Sequence, residues 1–148
     1  MSTSRHILLV EDNPDDLFFM QRALKAADVR QPHSVATTGL EAVDYLKGAG
    51  KFADRVAFPP PALVLLDLKL PGLDGHEVLC WIRAQPEWRG LVVVILTTSR
   101  ERSDVQKAYA NGANAYLVKP SAAPELIAQV KALKAFWFEQ NEFAVADA

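Results

Sequence analysis

A single cysteine, Cys80, excludes an internal disulfide framework and fits a reducing compartment. Cys80 itself reads as a small buried apolar residue. The three histidines, His6, His33 and His76, are spaced so that no two reach a common metal, and all read as surface or partly packed side chains. A basic surplus is missing too: the formal net charge is -2, so neither DNA nor RNA is expected as a partner. Residues 1–6 lack the apolar core of a signal peptide, and no apolar run approaches the length of a membrane span. The expected location is therefore the cytoplasm, with no membrane attachment. There is no internal repeat or sustained heptad, and no low-complexity tract beyond Pro59 to Pro61.

What is present is a chain of 148 residues, half of them hydrophobic and 23% charged, which suits a soluble folded domain. That length supports one continuous core, so residues 1–148 are expected to form a single domain. Its core should span about residues 6–138, with flexible ends and no separate output domain. Short apolar runs alternate with segments of helical period, the pattern of an α/β fold with a parallel sheet covered on both faces. The strand candidates are Ile7 to Val10, His33 to Ala36, Leu63 to Leu66, Val92 to Leu96 and Ala115 to Val118. Leu63 to Leu66 and Val92 to Leu96 lack polar alternation, as central strands do, whereas His33 to Ala36 suits an edge.

The first helix is announced by Asn13 as N-cap, Pro14 at the first helical position and Asp15-Asp16 in the first turn, with Leu17, Met20 and Leu24 as its inward stripe. Near the end of the chain, Leu126, Val130, Leu133 and Trp137 share one helical face suited to packing on the sheet. Phe136, Phe138 and Phe143 cannot all share that face, which points to a self-association surface. Lys47 to Pro61, with Gly48, Gly50 and the proline triplet, reads as a long surface loop. Trp81 and Trp88 flank Pro86 near the end of the third helix and read as packing residues.

Ligands of open parallel α/β sheets bind beyond the carboxyl ends of the strands. Those positions carry Glu11-Asp12, Asp67, Thr97-Thr98-Ser99 and Lys119-Pro120. Converging carboxylates repel unless a cation neutralises them, and an oxygen-only donor set favours magnesium or calcium over zinc. Magnesium further suits a site that receives a phosphoryl group, for which Asp67 is the nucleophile, Lys119 a point charge and Thr97 a hydroxyl donor. Taken singly, each has a plainer role: Asp12 a helix cap, Asp67 a turn, Thr97 a backbone partner, Lys119 a surface charge. Turn chemistry alone does not require this set of charges at successive strand ends.

Leu9-Val-Glu-Asp-Asn13, Leu65-Leu-Asp-Leu-Lys-Leu-Pro-Gly-Leu-Asp-Gly75, Leu96-Thr-Thr-Ser99 and Ala115-Tyr-Leu-Val-Lys-Pro120 resemble the motifs of CheY-like response-regulator receiver domains, in family order from about His6 to Trp137. The resemblance implies a doubly wound, five-stranded parallel sheet of flavodoxin-like strand order 2-1-3-4-5. It implies a two-component regulator, not an enzyme, that takes a phosphoryl group from a histidine kinase onto Asp67. It further implies Mg2+ held by Asp12 and Asp67, supported by Glu11 and the Lys69 backbone carbonyl. Thr97 and Tyr116 would be the switch pair, Lys119 would pair with the phosphoryl oxygens, and Pro120 would follow a cis peptide. Pro71 and Gly75 would shape the turn after Asp67, glycine supplying otherwise strained backbone angles. Lys69 and Ser99 stand at variable positions beside the phosphate that tune its lifetime. Ala122 stands where many receivers have a polar helix cap, and Ser121 is expected to cap instead.

The loop before Leu63, the Leu96-Thr-Thr-Ser99 motif and the Ala135-Phe-Trp-Phe138 ending resemble a narrower group, stand-alone regulators partnered with phytochrome-type histidine kinases. That resemblance implies a homodimer through the face that includes the last helix. Other functions fit less well. A haloacid-dehalogenase-type phosphatase wants a general acid where Lys69 stands, and a flavin phosphate would be repelled by Glu11-Asp12. A pseudo-receiver acting purely by protein contact does not explain an intact Asp12, Asp67 and Lys119 set.

Overall fold

The computed structural model describes residues 5–144. Its strands are β1 (Ile7–Val10), β2 (His33–Ala36), β3 (Leu63–Leu66), β4 (Val92–Thr97) and β5 (Ala115–Val118). They follow the expected segments, with β4 one residue longer. The helices are α1 (Pro14–Ala26), α2 (Gly39–Lys47), α3 (Gly75–Ala84), α4 (Arg102–Ala110) and α5 (Ala123–Leu133). All strand pairs are parallel, in the order β2-β1-β3-β4-β5, which is the flavodoxin-like arrangement.

Alternation along the strands sorts their side chains into two cores. Leu8, Val10, Val64, Leu66, Val93 and Ile95 meet Tyr45, Leu79, Ile82 and Ala108 from α2, α3 and α4. Ile7, Leu9, Leu65, Val94 and Leu96 meet Met20, Ala23 and Leu24 of α1 and Val130 of α5. Every residue of β3 and β4 is buried, which is why both lack polar alternation, while β2 is half-exposed at its edge.

Local chemistry sets the helix ends. Asn13 accepts from the Asp15 and Asp16 amides beside Pro14, Thr38 accepts from the Glu41 amide, and Asp74 with Glu77 forms a reciprocal capping box. Gly48 closes α2 in the left-handed conformation at φ 69.

Five expectations are corrected. Cys80 is exposed, because Val78, Leu79 and Ile82 take the inner face of α3. His6 and His76 are both buried, each with a polar partner, Ser34 and Asp104. The segment after Lys47 is not merely a surface loop: it holds a 3-10 turn, Gly50–Phe52, and Phe52 is buried against Tyr45 and Phe58 with ring centroids 5.0 and 5.2 Å away. Arg55 binds this turn to α2 by donating to the Tyr45, Leu46 and Phe52 carbonyls. Ser121 does not cap α5, whose first turn has Ala122 at the N-cap and no side-chain bond, with Pro124 needing no amide partner. No cis peptide occurs among the described residues, so Pro120 follows the trans bond that X–Pro linkages favour by about 0.5–1 kcal/mol.

Beyond α5 the chain widens into a π-helical segment, Lys134–Gln140, with an Asn141 amide to Phe136 carbonyl bond of 2.8 Å. The three phenylalanines divide as their spacing requires. Phe138 and Phe143 join Leu126, Leu133 and Trp137 against the α1/α5 core, and Phe136 alone is exposed, at 54%.

At the opposite end of the sheet from the chemistry, Arg83 joins three segments. It donates to the carbonyls of Gly112 (2.9 Å), Trp88 (3.0 Å) and Arg89 (3.3 Å), and to Asn114 Oδ1 (3.0 Å), which also accepts from the Val93 amide. Arg83→Leu is expected to lower unfolding stability by about 2 kcal/mol, because several carbonyls lose a charged donor. Urea denaturation with an unchanged midpoint would contradict this.

The β1/β2 edge carries a pH dependence. Burial holds both His6 and His33 below the ordinary imidazole value, and for His6 the neighbouring His33 adds to the effect. An unfolded imidazole therefore binds protons that the folded one refuses, and the stabilising contribution is full above pH ~6.5 and is lost as pH falls toward the folded values. The stability that His33 contributes, read as the urea midpoint of the unaltered chain minus that of His33→Gln, should therefore fall between pH ~7.5 and ~5.5, a difference in which the titrating groups common to both proteins cancel. Parallel pH profiles for the two proteins would remove His33 from the account.

Candidate functional site

The strand ends converge because the ladder continues one step past each strand. Glu11, Asp67 and Lys119 donate their amides to the Ala36, Val10 and Thr97 carbonyls at 3.0, 3.1 and 2.7 Å. Their side chains consequently emerge at the same level, above β1, β3 and β5. Gly75 is required here by close approach and not by strained angles: a Cβ would lie 2.3 Å from the Asp67 carbonyl oxygen. The left-handed turn residue is Gly72, at φ 68.

The Lys119 ammonium uses its three donors on three carboxylates: Glu11 Oε1 at 2.5 Å, and Asp16 Oδ2 and Asp67 Oδ2 at 2.9 Å each. The Lys119 and Asp67 side chains are 12% and 8% exposed, so little water screens the pair. Burial alone would lower the lysine pKa, but its bonds to Glu11, Asp16 and Asp67 outweigh that and raise it, keeping the ammonium charged. Burial pushes the Glu11 carboxyl up to about 7, against the Lys119 and Asn13 hydrogen bonds, and the Asp67 charge adds to the rise.

One lysine does not saturate this acidity. Glu11, Asp12 and Asp67 each offer an oxygen within 4.8 Å of the others, and among the described residues this is the one such His/Cys/Asp/Glu group that could hold a metal. An all-carboxylate donor set, part buried and part open, fits a hard divalent cation. Lys69 follows closely, its amide donating to Asp67 Oδ1 at 3.2 Å.

The expected switch residues lie one step away. Thr97 is fully buried and its hydroxyl has no partner, while Thr98 next to it lines the cavity. Tyr116 is half-buried and donates to the Ser99 carbonyl at 3.0 Å. From the carboxylates a cavity of about 390 Å3 runs between α1 and α5, walled by Leu17, Phe19, Met20 and Leu126.

Sequence reasoning misses two features. In the sequence Asp16 is only a favourable charge in the first turn of α1, although it stands four residues after Asp12 and reaches Lys119. Asp104 carries no signal there; it accepts from Ser99 Oγ at 2.6 Å and lies 3.1 Å from His76 Nε2, and these two bonds hold its carboxyl below the usual range. No periodicity links His76 to Asp104, so only the fold could pair them.

The family model described as "Response regulator receiver domain" matches residues 7–131. The chain belongs to this family. Receiver domains are phosphoacceptor signalling proteins of two-component systems, which implies a histidine kinase as partner. Among relatives, this receiver is 37% identical over 133 residues to response regulator Rcp1 of Synechocystis, covering 90% of this chain and 88% of that one. The Mn(2+)-bound form of Rcp1 superposes with a TM-score of 0.85 at 35% identity, covering 95% of this chain and 99% of that one. The phosphorylated cyanobacterial phytochrome response regulator RcpA gives 0.87 at 34% identity, with coverage of 95% and 99%. RPA3017, of red light signaling in R. palustris, gives 0.91 at 33% identity, with coverage of 96% and 99%. A divalent cation thus suits this receiver on its own donor set and on a relative's. No helix among the described residues is long and apolar enough to cross a membrane.

Proposed function

We propose that Asp67 is the phosphoacceptor and that its partner is a phytochrome-type histidine kinase. The observation that carries the first part is the placement of Asp67 Oδ2, buried beside the Lys119 ammonium and within reach of the Glu11 and Asp12 carboxylates. An Asp67 oxygen attacks phosphorus, the bond from phosphorus to the donor imidazole nitrogen breaks, and that nitrogen leaves with the electron pair. Lys119 turns from its carboxylates to the phosphoryl oxygens, and Thr97 supplies a hydroxyl that lacks any other partner. Mg2+, held by Asp12, Asp67 and the Lys69 carbonyl with support from Glu11, supplies charge neutralisation on those oxygens when bound. Thr97 and Tyr116 then shift the population of the β4/β5 face.

The kinase class is supported by the likeness to the phytochrome response regulator RcpA, and the cytoplasm is where such a donor would meet this receiver. A homodimer through the α5 face is supported by Phe136, the aromatic left exposed there. Sedimentation tests it: Phe136→Glu should shift the protein toward monomer. Phosphotransfer tests the main reading. Label on a phytochrome-type kinase should pass to this chain in Mg2+ and stay on the kinase in EDTA; label that stays in both contradicts the proposal.

A further inference from the structure

Residue spacing gives the cavity between α1 and α5 two unlike ends. Asp16 and Met20 stand four apart on α1, hence one turn apart on one face, so a charge at the strand ends is followed by an apolar wall deeper in. Leu65 of β3 and Leu126 of α5 complete that wall. The other end is lined by Glu11, Asp16, Asp67 and Lys119, and Phe19, 49% exposed, stands at the mouth. The volume of about 390 Å3 lies within the roughly 300–1,000 Å3 of small-molecule pockets, which likewise combine apolar walls with a few polar groups. A divalent cation or a phosphoryl group makes no use of the apolar part, where the waters that accompany such ions would find no polar partners.

Charge decides the class of ligand. Three carboxylates share the single Lys119 ammonium, so this end keeps an excess of negative charge that repels an anionic headgroup and attracts a cationic one. Asp16 is the carboxylate best placed to receive it. It lies outside the three-acid group able to hold a metal, it uses Oδ2 on Lys119, and its side chain is 39% exposed, open to an entering ligand. We propose that this cavity binds a small amphipathic amine, its ammonium paired with Asp16 and its apolar body held between α1 and α5. Glu11 and Asp67 line the same cavity, so a bound amine and a divalent cation draw on one excess of negative charge and each weakens the binding of the other. The amine is thereby an input to the site that bypasses the kinase. The proposal requires the cavity and its carboxylates, and does not depend on Asp67 being the phosphoacceptor.

The test is an NMR titration of the isotope-labelled full chain with tryptamine, an indole ring on a short ammonium arm, followed through the amide resonances. Saturable shifts are expected at Asp16, Met20 and Leu126. Methylamine, the headgroup alone, and indolepropionate, the same ring on a carboxylate arm, should each bind at least about tenfold more weakly. Saturating Mg2+ should weaken tryptamine binding by about tenfold as well. Leu126→Trp fills the apolar end and should cost about tenfold in tryptamine affinity, while its shifts on adding Mg2+ report that the fold is kept. Asp16→Asn, which removes the charge and keeps the shape, should cost about as much. The proposal is overturned by no saturable shift up to ~10 mM tryptamine, or by indolepropionate binding as well as tryptamine. Unchanged affinity in Asp16→Asn, or in a folded Leu126→Trp, would overturn it equally, since the amine would then lie outside this cavity.

Discussion

Lys119→Ala is expected to lower the unfolding stability of the cation-free protein by about 3–5 kcal/mol, the cost of stripping a buried ion cluster of its counter-charge. Three carboxylates, from Glu11, Asp16 and Asp67, share that one ammonium. Without it, Glu11 and Asp67 are buried like charges, and each can remain folded only by taking up a proton or acquiring another cation. Mg2+ should therefore raise the urea midpoint of Lys119→Ala more than that of the unaltered chain, since it binds the folded carboxylate cluster and not the dispersed one. Equal stability of the two proteins in EDTA would show that the cluster is neutralised in some other way. The same variant should be a poor phosphoacceptor even in Mg2+, because the ammonium sits 2.9 Å from the attacking carboxylate.

Asp67→Asn should abolish phosphoryl uptake. An amide oxygen is a far weaker nucleophile than a carboxylate, and Glu11 and Asp12 belong to the adjoining strand end, where they serve the cation. The fold should persist, because the side-chain amide oxygen of the variant can still accept from the Lys69 amide and the change removes one of two buried negative charges. Label transfer from the kinase should fall to background while the circular dichroism spectrum is retained. Undiminished transfer would move the acceptor elsewhere, with Asp12 the first candidate.

The fold was legible where a local rule had a single outcome. The uninterrupted apolar run Val92 to Leu96 could be buried on both faces only in the middle of the sheet, and Asn13-Pro14 left α1 one place to begin. The convergence of Glu11, Asp12, Asp67 and Lys119 was legible for the same reason, since the strand ends deliver them to one place whatever the loops do. What failed depended on contacts distant in sequence. Phe52 enters the core only because Tyr45 and Phe58 meet it, while the glycines before it argue for an exposed loop. The Asp104 pairing spans 28 residues to His76, and Asp16 reaches Lys119 across 103. Pro120 and Ser121 show the opposite error, in which family expectation stood in for local geometry that this chain does not adopt.

The most direct test is the intact mass of the protein after incubation with acetyl phosphate, which removes the kinase from the experiment. With Mg2+ the unaltered chain should gain one phosphoryl mass, while the EDTA-treated protein and Asp67→Asn should gain none. A gain by Asp67→Asn equal to that of the unaltered chain would contradict the assignment of Asp67 as the phosphoacceptor.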